Sequence, residues 1–155
     1  MPAAAETPTV HASAVLAGAR AVLIRGPAGA GKSQLALALI QAAETGLLRF
    51  ARLVGDDRVH LEAHNSRLLV RPAPALAGLL EVRGLGMRRL DYEPIAVVGL
   101  VVDLAADDAE HLPAASATVI SGVELPRLAV AAGASPLPAV LAALHSAAGE
   151  IKPRS

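Results

Sequence analysis

The sequence predicts a strand-rich α/β domain, and three observations lead to that class. The chain has 155 residues, a length that fits one domain with a sizeable core. Residues 26–33, GPAGAGKS, fill the phosphate-binding loop pattern GxxxxGK[ST] between an apolar segment of strand length and a segment of strong helix formers. Elsewhere short strand-like segments outnumber helical ones, which is unusual for a doubly wound fold in which a helix follows nearly every strand.

Strands are predicted where short apolar segments are bounded by turn residues. In chain order these segments are residues 10–16, 21–24, 53–54, 59–62, 67–71, 79–82, 95–102, 117–120 and 123–130. Turn-like residues 17–20 predict a hairpin that has His11 at the far end of its first strand, and residues 65–66 predict a second hairpin. Residues 95–102 are apolar on both faces, as in a covered central strand, and Asp103 is expected to end that strand. Pro126 indicates that the last strand is an edge strand or irregular.

Two helices are predicted. The first follows the phosphate-binding loop, because Leu35, Leu39 and Ile40 recur among alanines, and Gly46 is its expected stop. The second covers residues 138–148. The domain organisation expected from these elements is a flexible tail at residues 1–9, a single domain at residues 10–149, with a solvated connection at residues 105–115, and a C-terminal tail at residues 150–155.

Composition excludes several classes of protein. Lys plus Arg and Asp plus Glu both number 14, and Phe50 and Tyr92 are the only aromatic residues, so neither charge nor base stacking favours nucleic-acid binding. The absence of cysteine excludes disulfides, thiolate metal sites and cysteine catalysis, and it fits a reducing compartment. The longest apolar run is too short to cross a bilayer, and residues 1–10 lack the features of a signal peptide, so we expect a cytoplasmic protein.

The glycine-rich loop predicts nucleotide binding. Its glycines let backbone N–H groups point at phosphate oxygens, and the N-terminus of the following helix adds positive potential. Lys32 is expected to reach the β and γ phosphates, and the Ser33 hydroxyl is expected to hold Mg²⁺. The residues expected to bind the nucleotide are Gly26, Pro27, Ala28, Gly29, Ala30, Gly31, Lys32 and Ser33.

Phosphoryl transfer also needs a base and a second metal ligand. Asp56 and Asp57, adjacent at a predicted strand end, are the best candidates, with a surface turn pair as the structural alternative. Glu81 precedes a glycine-rich turn and either binds Mg²⁺ or faces water. His11 lies on an apolar strand and is either structural or catalytic. The other histidines lack the spacing of zinc ligands.

The order and spacing of these motifs resemble the HPr kinase/phosphorylase family. His11 lies fifteen positions before Gly26, as in that family, and an Asp-Asp pair follows the loop. Residues 81–86, EVRGLG, match the family's EIRGLG with one conservative change. Asp57 lies farther from the loop than in the family, which indicates an insertion around residues 45–52, where extra length is tolerated. The resemblance is strongest over residues 10–92.

The resemblance implies a P-loop fold of the phosphoenolpyruvate-carboxykinase-like type. It also implies an ATP- and Mg²⁺-dependent protein serine kinase. Its substrate would be HPr, the phosphocarrier of the sugar phosphotransferase system, or the nitrogen-related counterpart of HPr. Because the chain begins close to His11, we expect a short form that consists of the catalytic domain only. Members of the family suggest a hexamer, so a homo-oligomer is expected.

The same resemblance implies a role for each matched residue. Lys32 would neutralise the β and γ phosphates, and Asp57 would take the proton from the serine hydroxyl. His11 and Asp56 would support that base by hydrogen bonding or by tuning its pKa. The implied metal ligands are Ser33 and Glu81, and the implied substrate-binding residues are Arg83, Gly84, Leu85, Gly86 and Arg88.

One departure from the family concerns the direction of reaction. An arginine in a PGRN-like stretch, which the family uses to handle inorganic phosphate, has no evident counterpart here. Residues 125–128, LPRL, are followed by small residues, and Arg127 is the one candidate substitute. We therefore expect phosphorolysis to be weak or absent.

Two other functions are compatible with a phosphate-binding loop. A small-molecule P-loop kinase would have an arginine-rich lid, and the sequence shows none. A nucleotide-sensing regulatory module without phosphotransfer would bind ATP and a partner, and it would not need Asp57.

Overall fold

The computed structural model describes residues 8–109 and 117–149. Most of the expected N-terminal tail, the whole expected C-terminal tail and part of the expected connection after residue 105 lie outside the described residues. The described elements are β1 Thr9–His11, β2 Ser13–Ala17, β3 Arg20–Arg25, α1 Lys32–Glu44, β4 Ala51–Gly55, β5 Arg58–His64, β6 Arg67–Pro72, a 3₁₀ turn Pro74–Leu76, β7 Leu79–Val82, β8 Gly86–Arg89, β9 Ala96–Leu104, β10 Ala117–Ile120, β11 Val123–Val130 and α2 Leu137–Gly149.

Nine strands form one mixed sheet. Its main order is β1-β5-β6-β9-β3-β2-β4, and β11 joins β9 while β10 extends from β11. Strands β3, β9 and β11 are parallel, and the other pairs in this sheet are antiparallel. The remaining strands, β7 and β8, form a separate hairpin. The phosphate-binding loop follows the carboxyl end of β3. In open α/β sheets, ligands usually bind beyond the carboxyl ends of the strands.

Two apolar cores hold the sheet in place. One contains the buried face of α1, Val140 of α2 and the residues of the sheet that face both helices. The other contains Val59, Leu68 and Val70 of β5 and β6 together with Leu23 of β3 and Val54 of β4. The β5–β6 part of the sheet therefore packs against β3 and β4 on the face opposite the helices. Neither described helix is long and apolar enough to cross a membrane.

Most predicted elements are confirmed. The hairpins β2–β3 and β5–β6 form as expected, and Asn65 and Ser66 adopt the positive φ angles of 51° and 64° that tight hairpin turns require. Helix α1 ends before Gly46, whose φ is 85°. Pro126 lies in the half of β11 that pairs with β10 alone, which leaves its nitrogen free of the β9 ladder.

Three expectations about the strands are corrected. Residues 10–16 are not one strand, because the chain passes at Ala12 from β1, which pairs with β5, to β2, which pairs with β3 and β4. His11 therefore lies outside the β2–β3 hairpin. Asp103 lies inside β9, which continues to Leu104, because arginines from both neighbouring strands neutralise it. Strand β8 was not predicted, since its four exposed residues show no apolar alternation.

Candidate active site

The phosphate-binding loop joins the end of β3 to the start of α1. Gly29 and Gly31 have φ angles of 81° and 101°, in the left-handed region that favours glycine. A Cβ atom at Gly26 would lie 3.1 Å from both Cβ and the carbonyl oxygen of Leu104, so only glycine lets the loop start this close to β9. These glycines shape a concave backbone at the N-terminus of α1, where N–H groups lack intrahelical partners.

Lys32 lies across the mouth of this loop. Its Nζ donates hydrogen bonds to the carbonyl oxygens of Gly26, at 2.8 Å, and of Pro27, at 3.2 Å. The ammonium group is thereby held above the backbone concavity, where an anionic ligand would meet it.

Asp56 is the buried centre of the site, with 3% of its surface exposed. The Ser33 hydroxyl lies 2.8 and 2.9 Å from its two carboxylate oxygens. Ser13 Oγ donates to Oδ1 at 2.6 Å, and the Glu81 N–H donates to Oδ2 at 3.2 Å. Asp56 thus connects β2, β7 and the first turn of α1, and its charge is compensated by hydrogen bonds as a buried carboxylate requires.

Gly55 lets the chain carry Asp56 into this position. A Cβ atom there would lie 2.7 Å from Cγ1 of Val59 and 3.1 Å from Cα of Pro72. Because Val59 is fully buried, it has little room to move away. The end of β4 can therefore lie directly under β5 and β6 only if this residue has no side chain.

Asp57 points the other way, and its side chain is 65% exposed. Its φ angle of 70° is unusual for a residue with a Cβ atom, and such conformations concentrate at functional sites. Its N–H donates to Ser13 Oγ at 3.4 Å, and its carbonyl accepts from Ala12 N–H at 3.2 Å. His11 Nδ1 lies 3.8 Å from its Oδ1. One aspartate of the pair is therefore buried, and its neighbour faces solvent.

A cleft of about 580 Å³ lies between the loop and the β7–β8 hairpin. Its described lining brings together most of the predicted site: Ala28, Gly29, Gly31, Lys32, Ser33, Asp57, Glu81, Arg83, Gly84 and Gly86, with Gln34 and Val82. Leu85 and Arg88 are exposed on the hairpin and do not belong to that lining. Asp56 lies beneath the cleft. His11 is not part of that lining, but it lies beside Asp57, which is.

Beside the loop, an ionic network joins the ends of the three parallel strands. The Arg25 guanidinium donates to both oxygens of Asp103, at 2.7 and 2.8 Å. Arg127 donates to Asp103 and, at 2.8 and 3.0 Å, to Asp108. Burial alone would raise the pKa of Asp103, but the hydrogen bonds from both arginines outweigh burial and hold that pKa below its usual range. The hydrogen bonds that Arg127 donates to Asp108 and Asp103 raise the pKa of Arg127.

Sequence reasoning did not identify Ser13 or Arg58 as parts of the site. Ser13 is fully buried and contacts both aspartates. Arg58 contacts His11, with its Nη2 2.9 Å from Nε2 of the imidazole. The sequence offered one weak signal for each residue. Ser13 is a lone hydroxyl in an apolar strand, and Arg58 directly follows the Asp pair, but neither signal is specific without the fold.

Comparison with known proteins gives one family. Residues 3–92, more than half of the chain, match the HPr serine kinase C-terminal domain. The HPr kinase/phosphorylase of Levilactobacillus brevis is 40% identical over 84 residues, and that of Shouchella clausii is 46% identical over 67 residues. These alignments cover 54% and 43% of this chain but only 25% and 19% of the two relatives.

The fold has a counterpart among solved structures. The Hpr(Ser) kinase/phosphatase from Coxiella burnetii superimposes with a TM-score of 0.73, and the match covers 92% of each chain at 23% sequence identity. This similarity confirms the strand-rich α/β fold class predicted from the sequence.

Proposed function

Because the chain belongs to the HPr serine kinase C-terminal domain family, we propose that it is a kinase that uses ATP and Mg²⁺ to phosphorylate a serine of HPr, with weak or absent phosphorolysis. One observation carries the proposal. A phosphate-binding loop, a buried carboxylate on its serine and an exposed carboxylate meet at a single cleft. These are the parts that phosphoryl transfer requires.

The loop fits the phosphates of ATP. Its left-handed glycines leave backbone N–H groups unshielded by side chains, and α1 begins at Lys32, so its positive end faces the same concavity. Lys32 is already held over that concavity by two loop carbonyls, which it can exchange for phosphate oxygens. The lysine would offset negative charge that grows on the transferred group.

The donor set near Ser33 fits Mg²⁺, which prefers oxygen ligands. Ser33 would hold the ion directly, and Glu81, which is among the residues that line the cleft, would supply a carboxylate. Asp56 orients the Ser33 hydroxyl from below and adds negative charge beside it. When bound, Mg²⁺ would offset the charge of the β and γ phosphates.

Asp57 would be the general base. Its carboxylate is exposed, and the residue lines the same cleft as Lys32, so a serine hydroxyl can approach it, whereas Asp56 is hydrogen-bonded to Ser13 and Ser33. Taking the proton from the hydroxyl as it attacks would raise the reactivity of that oxygen. His11 would orient the carboxylate from its far side.

The β7–β8 hairpin would hold the protein substrate. It carries Leu85 and Met87, which are 62% and 52% exposed, next to Gly84 and Gly86, which line the cleft. Arg83, Arg88 and Arg89 lie on the same hairpin. An exposed hairpin with apolar and basic side chains suits a partner protein better than a small metabolite, which a closed pocket would enclose.

The proposal is tested by incubating the purified chain with γ-labelled ATP, Mg²⁺ and HPr. We expect label on one serine of HPr, none on HPr in which that serine is replaced by alanine, and none with the Lys32→Ala chain. Nucleotide binding without label on HPr would favour a regulatory module. Label that passes to small hydroxyl compounds but not to HPr would favour a small-molecule kinase.

A further inference from the structure

We propose that Arg58 is a positioning residue that fixes the His11 imidazole in one tautomer, with its proton on Nδ1 facing Asp57. The inference deepens the proposed function and rests on it, because it concerns how the base is oriented. No role for Arg58 follows from the phosphate-binding loop or from the motifs of the sequence.

The pairing of β1 with β5 brings the two side chains together. His11 lies opposite Arg58 in the antiparallel register, so both side chains leave the sheet on the same face. Arg58 Nη2 lies 2.9 Å from His11 Nε2, and its Nη1 donates to Thr9 Oγ1 at 3.3 Å. The guanidinium therefore bridges two residues of β1.

The chemistry of the guanidinium decides which nitrogen of His11 carries the proton. Arginine stays protonated and only donates hydrogen bonds, so Nε2 must accept with its lone pair. The proton of a neutral imidazole is then on Nδ1, the nitrogen that lies 3.8 Å from Asp57 Oδ1. In a doubly protonated ring the Nε2–H would face the N–H of the guanidinium, and two donors cannot form a hydrogen bond.

The consequence for Asp57 is that a neutral ring, with its proton on the nearer nitrogen, lies 3.8 Å from the carboxylate. An imidazolium there would favour the charged carboxylate and oppose its acceptance of a proton from the substrate. The backbone also holds Arg58 close to the base, because the Arg58 N–H donates to the Asp56 carbonyl at 2.8 Å and closes a tight turn around Asp57. The pairing of β1 with β5 thus places Arg58 and His11 next to the two aspartates.

Two variants test this assignment. Arg58→Met keeps the aliphatic stem but cannot donate, and Arg58→Lys keeps a cationic donor. Arg67→Met, at an exposed position on the β5–β6 hairpin, is the matched control. The first readout is the imidazole ¹⁵N NMR spectrum at neutral pH, with His11 identified by its loss in His11→Asn. We expect the Nδ1–H tautomer in the wild type and the Arg67 control, a mixture in Arg58→Met, and recovery in Arg58→Lys.

The second readout is HPr phosphorylation. Arg58→Met should lower kcat about tenfold without changing KM for ATP, in line with the effect of removing a residue that orients another. In a His11→Asn background the same change should have no further effect, because Arg58 acts through His11.

Either of two results would overturn the assignment: an Nε2–H or charged His11 in the wild type, or a loss of kcat in Arg58→Met that persists without His11. If the wild type did not phosphorylate HPr, the proposed function would fail instead. The NMR spectra would then still decide whether Arg58 fixes the tautomer.

Discussion

At the scale of single residues, the site depends on a missing side chain as much as on the charged ones. Gly55→Ala forces a Cβ atom against Val59 and Pro72, and it should move Asp56 away from Ser33. We expect a destabilisation of about 1–3 kcal/mol from overpacking. We also expect weaker Mg²⁺-dependent ATP binding, measured by calorimetry beside urea unfolding.

Gly99→Ala is the matched control for Gly55→Ala. A Cβ atom at Gly99 would be equally crowded, at 2.7 Å from Cβ of Arg20, but it lies away from the cleft. It should lower stability without changing ATP affinity. Equal losses of affinity in the two variants would show that the geometry of Asp56 is not specific to Gly55.

The sequence predicted the charged residues of the candidate site but not which of them are buried and which are exposed. Asp56 and Asp57 are adjacent and chemically identical, yet one is buried and the other exposed. Buried Asp56 is held by Ser13, which is 43 positions away, and no local pattern encodes such a contact. Arg58 was missed for the same reason, since its partner lies on a strand 47 positions earlier.

At the scale of elements, the Arg25–Asp103–Arg127 network ties together the ends of β3, β9 and β11. Asp103→Asn leaves two partly buried guanidinium groups without a full counter-charge and should destabilise the fold by about 2 kcal/mol near neutral pH. The lowered pKa of Asp103 means that its contribution is present above the unfolded pKa and is lost as pH falls through the folded pKa.

The difference in the free energy of unfolding between wild type and Asp103→Asn should therefore shrink below about pH 4, where the Asp103 carboxyl of the unfolded chain begins to take up a proton. Urea unfolding of both proteins at pH 7 and at pH 3 measures this difference in stability. Glu62→Gln, which breaks the exposed ion pair with Arg71, is the control and should cost less than about 0.5 kcal/mol at either pH. A constant difference between Asp103→Asn and wild type at both pH values would contradict the assigned role.

Elements with a strong local pattern were predicted, and those defined by distant pairing were not. The β5–β6 hairpin follows from its turn residues, and α1 follows from its loop and helix formers. The break at Ala12 and strand β8 depend on partners elsewhere in the fold. Asp103 was expected to end β9, and the two arginines that keep it inside the strand come from strands far away in the sequence.

At the scale of the whole molecule, the fold class could be predicted because the loop and the excess of short strands both belong to one architecture. Pairing order could not, since β9 accepts partners from three parts of the chain. Only the fold shows that the predicted cleft residues meet, and it separates Leu85 and Arg88 from the cleft itself.

The direction of reaction should follow from how Arg127 is used. Phosphorolysis brings inorganic phosphate toward a negatively charged phosphoserine and needs added positive charge. Arg127 is bound to Asp103 and Asp108 and does not line the described cleft. We expect little pyrophosphate from seryl-phosphorylated HPr, enzyme, Mg²⁺ and inorganic phosphate. Pyrophosphate release at a rate comparable with phosphorylation would contradict this, and Arg127, Arg88 and Arg89 would be the next positions to substitute.

The claim that Asp57 is the base of a kinase acting on HPr is tested most directly by measuring turnover and ATP affinity separately. Asp57→Asn should bind ATP as the wild type does and phosphorylate HPr on the order of 10² to 10⁴ times more slowly. Asp56→Asn is the matched variant and should lose affinity as well, because it disturbs Ser33. Wild-type turnover in Asp57→Asn, or a larger loss of turnover in Asp56→Asn with ATP affinity retained, would contradict the account.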